Sequence, residues 1–284
     1  MEDFSTNTLK NMPLYKWIFL LIGGTFLFLI LYSTTQITGY ISENVFLSYL
    51  LIIGAIVALI AIYIGFIKVV EKKSAKEIEL SIGIKDVGKG FLVGSCYITS
   101  IILIMMILGC YSIDSFQFDT KNIILRLLFF LLVAVGEEVV LRGVIFRYIS
   151  LRWNYVIALI ISALLFGYIH ISNDNATIWS SLAIAIEAGL MLGAAYMCSG
   201  TLWFPIGIHW AWNFFEGNVF GTPVSGSIEI TSIFTSSISG SDIITGGPFG
   251  PEASVISVFL GVAVTAWFIY IYKKSSNQNI KTEI

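Results

Sequence analysis

Charged side chains are scarce in this chain. Lys and Arg number 16 and Asp and Glu 18 among 284 residues, so 12% are charged and 57% hydrophobic. An average soluble domain carries about twice that charged share, and the mean hydropathy of +0.87 points to a membrane protein instead. The net charge of −2 argues against nucleic acid as a partner. Cysteine is almost absent. Cys96, Cys110 and Cys198 are odd in number and show no C-x-x-C spacing, which argues against a disulfide framework and a thiolate metal site. All three lie in or at the ends of apolar runs and are expected to be small buried residues. Only two histidines occur, His170 and His209.

Long apolar runs abound. A helix needs about 20 mainly apolar residues to cross the hydrocarbon core. Eight stretches qualify, at about 15–35, 44–69, 90–111, 122–149, 154–171, 177–198, 201–217 and 253–272. The expected fold is all-α, a polytopic membrane helix bundle of about eight transmembrane helices. Residues 1–284 read as a single transmembrane unit with neither a repeat nor a soluble domain. The fourth stretch is long enough to tilt or to run beyond the membrane, and Pro205 makes an irregular first turn expected in the seventh. The first follows Lys10 and Lys16 as a signal peptide would. Its apolar run from Trp17 to Tyr32 is long and no small-x-small site follows, so it reads as a retained anchor.

Lysine and arginine set the orientation. With eight spans, one side collects Lys10, Lys16, Lys68, Lys72, Lys73, Lys76, Lys85, Lys89, Arg142, Arg147, Arg152, Lys273, Lys274 and Lys281. Only Lys121 and Arg126 fall towards the other. Both termini of a multi-pass cell-membrane protein are therefore expected in the cytoplasm. The loop at 71–89 reads equally as an amphipathic surface element or a solvated linker. The outer loop at 218–251, rich in Gly, Ser and Thr but carrying apolar residues, is expected to fold back over the protein.

Ionisable residues within membrane helices are expensive and usually face a protein interior or a watery cavity. Glu138 and Arg142 are four residues apart, share a helix face and can pair. Glu137 lies about 100° round the helix, and the position four residues on is Leu141. Spacing thus assigns Glu138 with Arg142 to a structural ion pair and leaves Glu137 as the free carboxylate, suited to act as a general base. His209 and Asn213 share another face, which Glu216 continues. Imidazole can hold a proton, a hydrogen bond or a metal, and a carboxamide can donate to a developing oxyanion. Counting about 1.5 Å per residue from the cytoplasmic ends puts Glu137, His170 and Asn213 about 18–24 Å deep and His209 about 12 Å deep. One site near mid-membrane is compatible with those depths. Phe166 is expected to pack beneath His170. Glu187, in the sixth stretch beside the small residues Ala185, Gly189 and Gly193, is expected to form a buried hydrogen bond rather than take part in chemistry.

These residues resemble the motifs of the CPBP family, the CAAX proteases and bacteriocin-processing enzymes also called the Abi family. EEVVLR is similar to its E-E-x-x-x-R motif, FGYIH to F-x-x-x-H and HWAWN to H-x-x-x-N, in the same order. The surrounding TLWFPIGIHWAWNFFEGNVFGTPVSG and the later GGPFGPEAS are similar to a common bacterial branch. The resemblance covers about 120–255, the expected catalytic core. It implies an intramembrane endopeptidase in which Glu137 activates water while His170, His209 and Asn213 hold that water or stabilise the oxyanion. Glu138 and Arg142 match the remaining positions of the first motif. His170 and His209 with Glu137 also match the donor count of a catalytic Zn2+ site, so the family's metalloprotease label stays open, with the metal-free reading favoured. The implied partners are the lipid bilayer and a membrane-associated peptide or protein, such as a pheromone, bacteriocin or leader-peptide precursor. The alternative is a non-catalytic immunity or regulatory scaffold protein. An ion-coupled transporter is disfavoured by the lack of an inverted repeat.

Overall fold

The computed structural model describes residues 10–38, 44–228 and 231–282, with side chains described for 10–33, 44–228 and 231–275. The chain is all-α and polytopic. Its helices are α1 (Leu14–Thr38), α2 (Val45–Phe66), α3 (Leu80–Ile107), α4 (Thr120–Glu138), α5 (Arg147–Arg152), α6 (Tyr155–Ile169), α7 (Ile178–Ile184), α8 (Leu190–Ser199), α9 (Trp203–Asn213), α10 (Asp242–Thr245) and α11 (Val255–Thr282). Four wider π-helical turns extend or interrupt them among the described residues: Ile67–Glu71 extends α2, Val139–Phe146 joins α4 to α5, Ala185–Gly189 joins α7 to α8, and Phe214–Val219 extends α9. Side-chain oxygens of Asn44, Asp119, Asn154 and Thr177 cap α2, α4, α6 and α7, satisfying N–H groups that a first turn leaves free.

Among the described residues, six helical stretches are long and apolar enough to cross a membrane: Leu14–Ser33, Val45–Glu71, Leu80–Ile107, Tyr155–Ser172, Ile178–Ser199 and Val255–Ser275. The other two expected spans are also helical. The run from α4 through α5 carries too many charges for that composition, and α9 with its π turn is short. Large apolar side chains, among them Phe19, Phe26, Val57, Leu92, Ile160 and Phe259, cover the outer surface. Lipid is the solvent that tolerates such a surface. Lys281 lies outside the residues whose side chains are described.

Several boundaries differ from expectation. The third span starts at Leu80 rather than near 90, because Lys85 and Lys89 ride on a helix already begun. The loop before it is not a solvated linker. Glu71 and Glu77 turn inwards and ion-pair with the buried Arg147, which donates to Glu71 at 2.6 Å through Nη1. Pro205 sits in the first turn of α9, where its missing N–H interrupts no helical hydrogen bond, so that turn is regular. Of the cysteines only Cys110 is buried, since Cys96 sits on the outward side of α3 and Cys198 is half-buried. The outer loop does fold back. Its strand β2 (Phe234–Ile238) pairs antiparallel with β1 (Tyr111–Phe116), a short ribbon that the sequence reading did not anticipate.

Small residues bring the functional helices together. A Cβ on Gly94 of α3 would lie 2.3 Å from the carbonyl oxygen of Ile208, and one on Gly207 of α9 would lie 2.4 Å from that of Val87. The two backbones touch at this level, just where α9 carries His209. Gly189 likewise abuts Ala163 of α6, with 2.7 Å from its would-be Cβ to the Ala163 Cα. The small-residue stripe of the sixth stretch is thus a packing surface. Overfilling such a contact costs about 1–3 kcal/mol. Gly207→Leu is therefore expected to lower the melting temperature of the detergent-solubilised protein, and an unchanged melt would show that α9 can move away without penalty.

Candidate active site

The first motif sits where α4 passes into its π turn. Glu138 and Arg142 are fully buried, with Arg142 Nη1 donating to Glu138 Oε1 at 2.8 Å. Arg142 Nη2 donates to the Gly189 carbonyl at 3.1 Å, and the guanidinium lies 4.9 Å from the centre of the Phe166 ring. The pair inferred from four-residue spacing is present. Glu138 has a second duty that spacing did not reveal: its Oε1 accepts from His209 Nδ1 at 3.1 Å. A carboxylate accepting that bond places the proton on Nδ1 and turns Nε2 to the other side of the ring.

That other side is where Glu137 stands. Its Oε2 lies 3.9 Å from His209 Nε2, too far for a direct hydrogen bond. The same oxygen has no hydrogen-bond partner among the described residues, although it is buried. Its Oε1 accepts from Tyr32 Oη of α1 at 3.3 Å. Gly136 makes this approach feasible, since a Cβ there would come within 2.1 Å of the Tyr32 ring. Glu137 is thus held by a phenol and, among the described residues, paired with no arginine or lysine.

His170 ends α6 and begins a short 3₁₀ turn, His170–Ser172. Its Nδ1 is 2.7 Å from the Phe166 carbonyl, which can only accept, so Nδ1 carries the proton and Nε2 the lone pair. The Phe166 ring packs against it with centroids 4.8 Å apart, as the four-residue spacing implied. Glu137, His170, His209 and Asn213 all line one cavity of about 200 Å³. α9 begins beside the loop that precedes α3, the Leu202 N–H donating to the Glu77 carbonyl at 2.7 Å.

Two acids fall elsewhere. Glu187 is fully buried and accepts from Tyr97 Oη at 3.0 Å and from the Ser257 hydroxyl, away from the cavity lining. Glu216 does not continue the His209–Asn213 face, because the π turn after Asn213 adds a residue per turn and rotates it behind Trp212, whose indole donates to it at 2.9 Å. Three further residues at the site were not singled out in the sequence: Tyr32, which holds Glu137 from a helix without a motif, and the cavity residues Ser225 and Glu252, which lie in the family-like stretches TLWFPIGIHWAWNFFEGNVFGTPVSG and GGPFGPEAS. Ser225 donates to Glu252 Oε2 through both its N–H and its hydroxyl at 2.7 Å. Gly226 beside it has φ +89°, and a Cβ there would overlap the Asp174 carbonyl, so the loop closes over the cavity only with glycine at this position.

Among the described residues, no group of three or more His, Cys, Asp or Glu side chains is placed to hold a metal ion. His209 has Nδ1 on Glu138 and His170 has Nδ1 on a carbonyl, which leaves each ring its Nε2.

Residues 119–215 match a family model described as type II CAAX prenyl endopeptidase Rce1-like. This stretch is similar to the Rce1-like family. It covers about a third of the chain, from the cap of α4 to the turn after Asn213, and holds all three motifs. Tyr32, Glu216, Ser225 and Glu252 lie outside the Rce1-like stretch. No curated protein and no solved structure matches the chain. Six apolar helices make it an integral membrane protein, of which residues 119–215 are similar to the CAAX prenyl endopeptidases.

Proposed function

We propose that the protein is an intramembrane endopeptidase that hydrolyses a peptide bond of a membrane-associated peptide or protein by water activated at Glu137. The observation that carries this reading is the unpartnered Glu137 Oε2, facing His209 Nε2 across 3.9 Å in the cavity. A gap of that size between two acceptors is bridged by one water, which can donate a proton to each. Glu137 takes one proton as the water oxygen attacks the scissile carbonyl, a role that contributes about 10²–10⁴-fold in rate. His209 aligns the water, and Glu138, backed by Arg142, holds the imidazole in the tautomer that allows it. His170 presents a lone pair and serves as an acceptor for water or substrate N–H.

The oxyanion then falls to Asn213, the cavity amide with N–H groups to donate. Asn213→Ala is expected to lower kcat by about 10²–10³-fold with little change in KM. An unchanged kcat would remove it from that role. Because the chemistry runs through side chains alone, cleavage by the purified protein should survive zinc chelation, and loss on chelation with recovery on adding zinc would reverse that part. The cluster of Lys and Arg places both termini on the cytoplasmic side in this reading.

Comparing membrane peptides of wild-type and Glu137→Ala cells by mass spectrometry tests the proposal and nominates a substrate. Precursors that accumulate in the variant, with products missing, support a peptidase. Identical peptide sets, with function restored by the variant, would favour a non-catalytic scaffold.

A further inference from the structure

We infer that Glu252 is a second catalytic carboxyl, which gives its proton to the amine that departs when the peptide bond breaks. The inference rests on the peptidase reading and completes it, because Glu137 accounts for the proton lost by water but not for the one gained by the leaving nitrogen. Glu252 lies on a 3₁₀ turn, Pro251–Ala253, far in sequence from the three motifs and outside the Rce1-like stretch. It nevertheless lines the same cavity as Glu137, His170, His209 and Asn213, and is 4% exposed. Both carboxyls line that cavity of about 200 Å³, so a peptide bond bound in it has Glu137 and Glu252 among its walls.

The turn is built to hold this side chain. Ser225 clamps Oε2 from two directions, Asn173 holds the Ser225 carbonyl at 3.0 Å, and the Gly226 N–H donates to the Phe249 carbonyl at 2.8 Å. The groups that act on Glu252 are His170 from the cavity side and the carboxyl of Glu216 from behind, with Glu187 next in line. No lysine or arginine is among them. Glu216 is itself fully buried, with Oε2 on Trp212 and Oε1 without a partner among the described residues. Two adjacent buried carboxyls lacking a cation cannot both ionise and so share a proton. Burial pushes the Glu252 carboxyl up from its ordinary range, against the Ser225 hydrogen bonds, which pull it down. Glu137 differs in its contacts: a phenol donates to one oxygen and His209 stands across from the other.

The step balances. One water proton goes to the Glu137 carboxylate as the oxygen bonds to the carbonyl carbon, giving a tetrahedral oxyanion that keeps one hydroxyl. The carbon–nitrogen bond breaks, the Glu252 proton passes to nitrogen, and the products are a carboxylic acid and an amine. Glu137 is left protonated and Glu252 ionised, and water entering the cavity returns the proton between them.

The test compares two versions of one peptide, taken from those that accumulate in Glu137→Ala membranes. One has the natural amide, the other an aryl thioester at the scissile position, whose thiolate leaves without a proton. Glu252→Gln is expected to cleave the amide about 10²–10⁴-fold more slowly than wild type but the thioester at a rate near wild type. Glu137→Gln should be slow on both. Thioester cleavage by Glu252→Gln also shows that the variant is folded, and Glu252→Asp should recover part of the amide rate. Equal losses on both substrates, or an undiminished amide rate, would overturn the inference while leaving Glu137 as the base. If Glu137→Gln matches wild type on both, the peptidase reading falls and this inference with it.

Discussion

Replacing Glu137 with glutamine is expected to reduce peptide cleavage by about 10²–10⁴-fold, the usual contribution of a positioned general base, and to leave the melting temperature unchanged. The two halves of this expectation have separate causes. Activity is lost because an amide cannot take a proton from water. Stability is kept because the side chain makes no ion pair with arginine or lysine, and its bond from Tyr32 at 3.3 Å can be accepted equally by a glutamine oxygen. Its side chain retains 14% exposure, so the substitution strands no charge in the interior. Cleavage rates of the purified variant, measured beside its thermal unfolding, check both halves. Full activity would remove Glu137 from the chemistry. A large fall in melting temperature would mean that it belongs to the structural ion pairs.

Arg142→Leu is expected to behave in the opposite manner, as a folding defect of about 3–5 kcal/mol, the cost of removing one partner from a buried ion pair. Both side chains of the pair have no exposure, and the guanidinium also satisfies the Gly189 carbonyl in the π turn between α7 and α8. Its loss leaves Glu138 with His209 alone. Replacing both partners, as Glu138→Gln with Arg142→Leu, should restore part of the stability because the stranded charge is gone. Chemical unfolding in detergent would show this non-additivity. A double variant as unstable as the two single losses summed would mean that the pair does not work as a unit.

The ion pair was legible in sequence because four-residue spacing survives at the start of a π turn: Glu138 is the last residue of α4 and Arg142 lies only four beyond it. Phe166 and His170 were legible for the same reason, on a regular helix. Glu216 was misplaced because the rule was carried past Asn213 into another π turn, where the face rotates. The start of α3 was missed because lysines were read as a membrane boundary, whereas the helix continues through them. Tyr32 was illegible because it reaches Glu137 through long-range packing past Gly136, with no local periodicity to announce it. Glu252 lay in the family-like stretch GGPFGPEAS, but only the folding of the loop over Gly226 brings it to the cavity.

The account's central claim is a division of labour between neighbouring glutamates, Glu137 for water and Glu138 for the fold. Its most direct test is one paired measurement on purified Glu137→Gln and Glu138→Gln proteins, recording cleavage rate and melting temperature for each. The account predicts that Glu137→Gln loses cleavage and keeps its melt, whereas Glu138→Gln loses melting temperature. A Glu137→Gln protein that cleaves at the wild-type rate, beside a Glu138→Gln protein that melts normally but does not cleave, would contradict it.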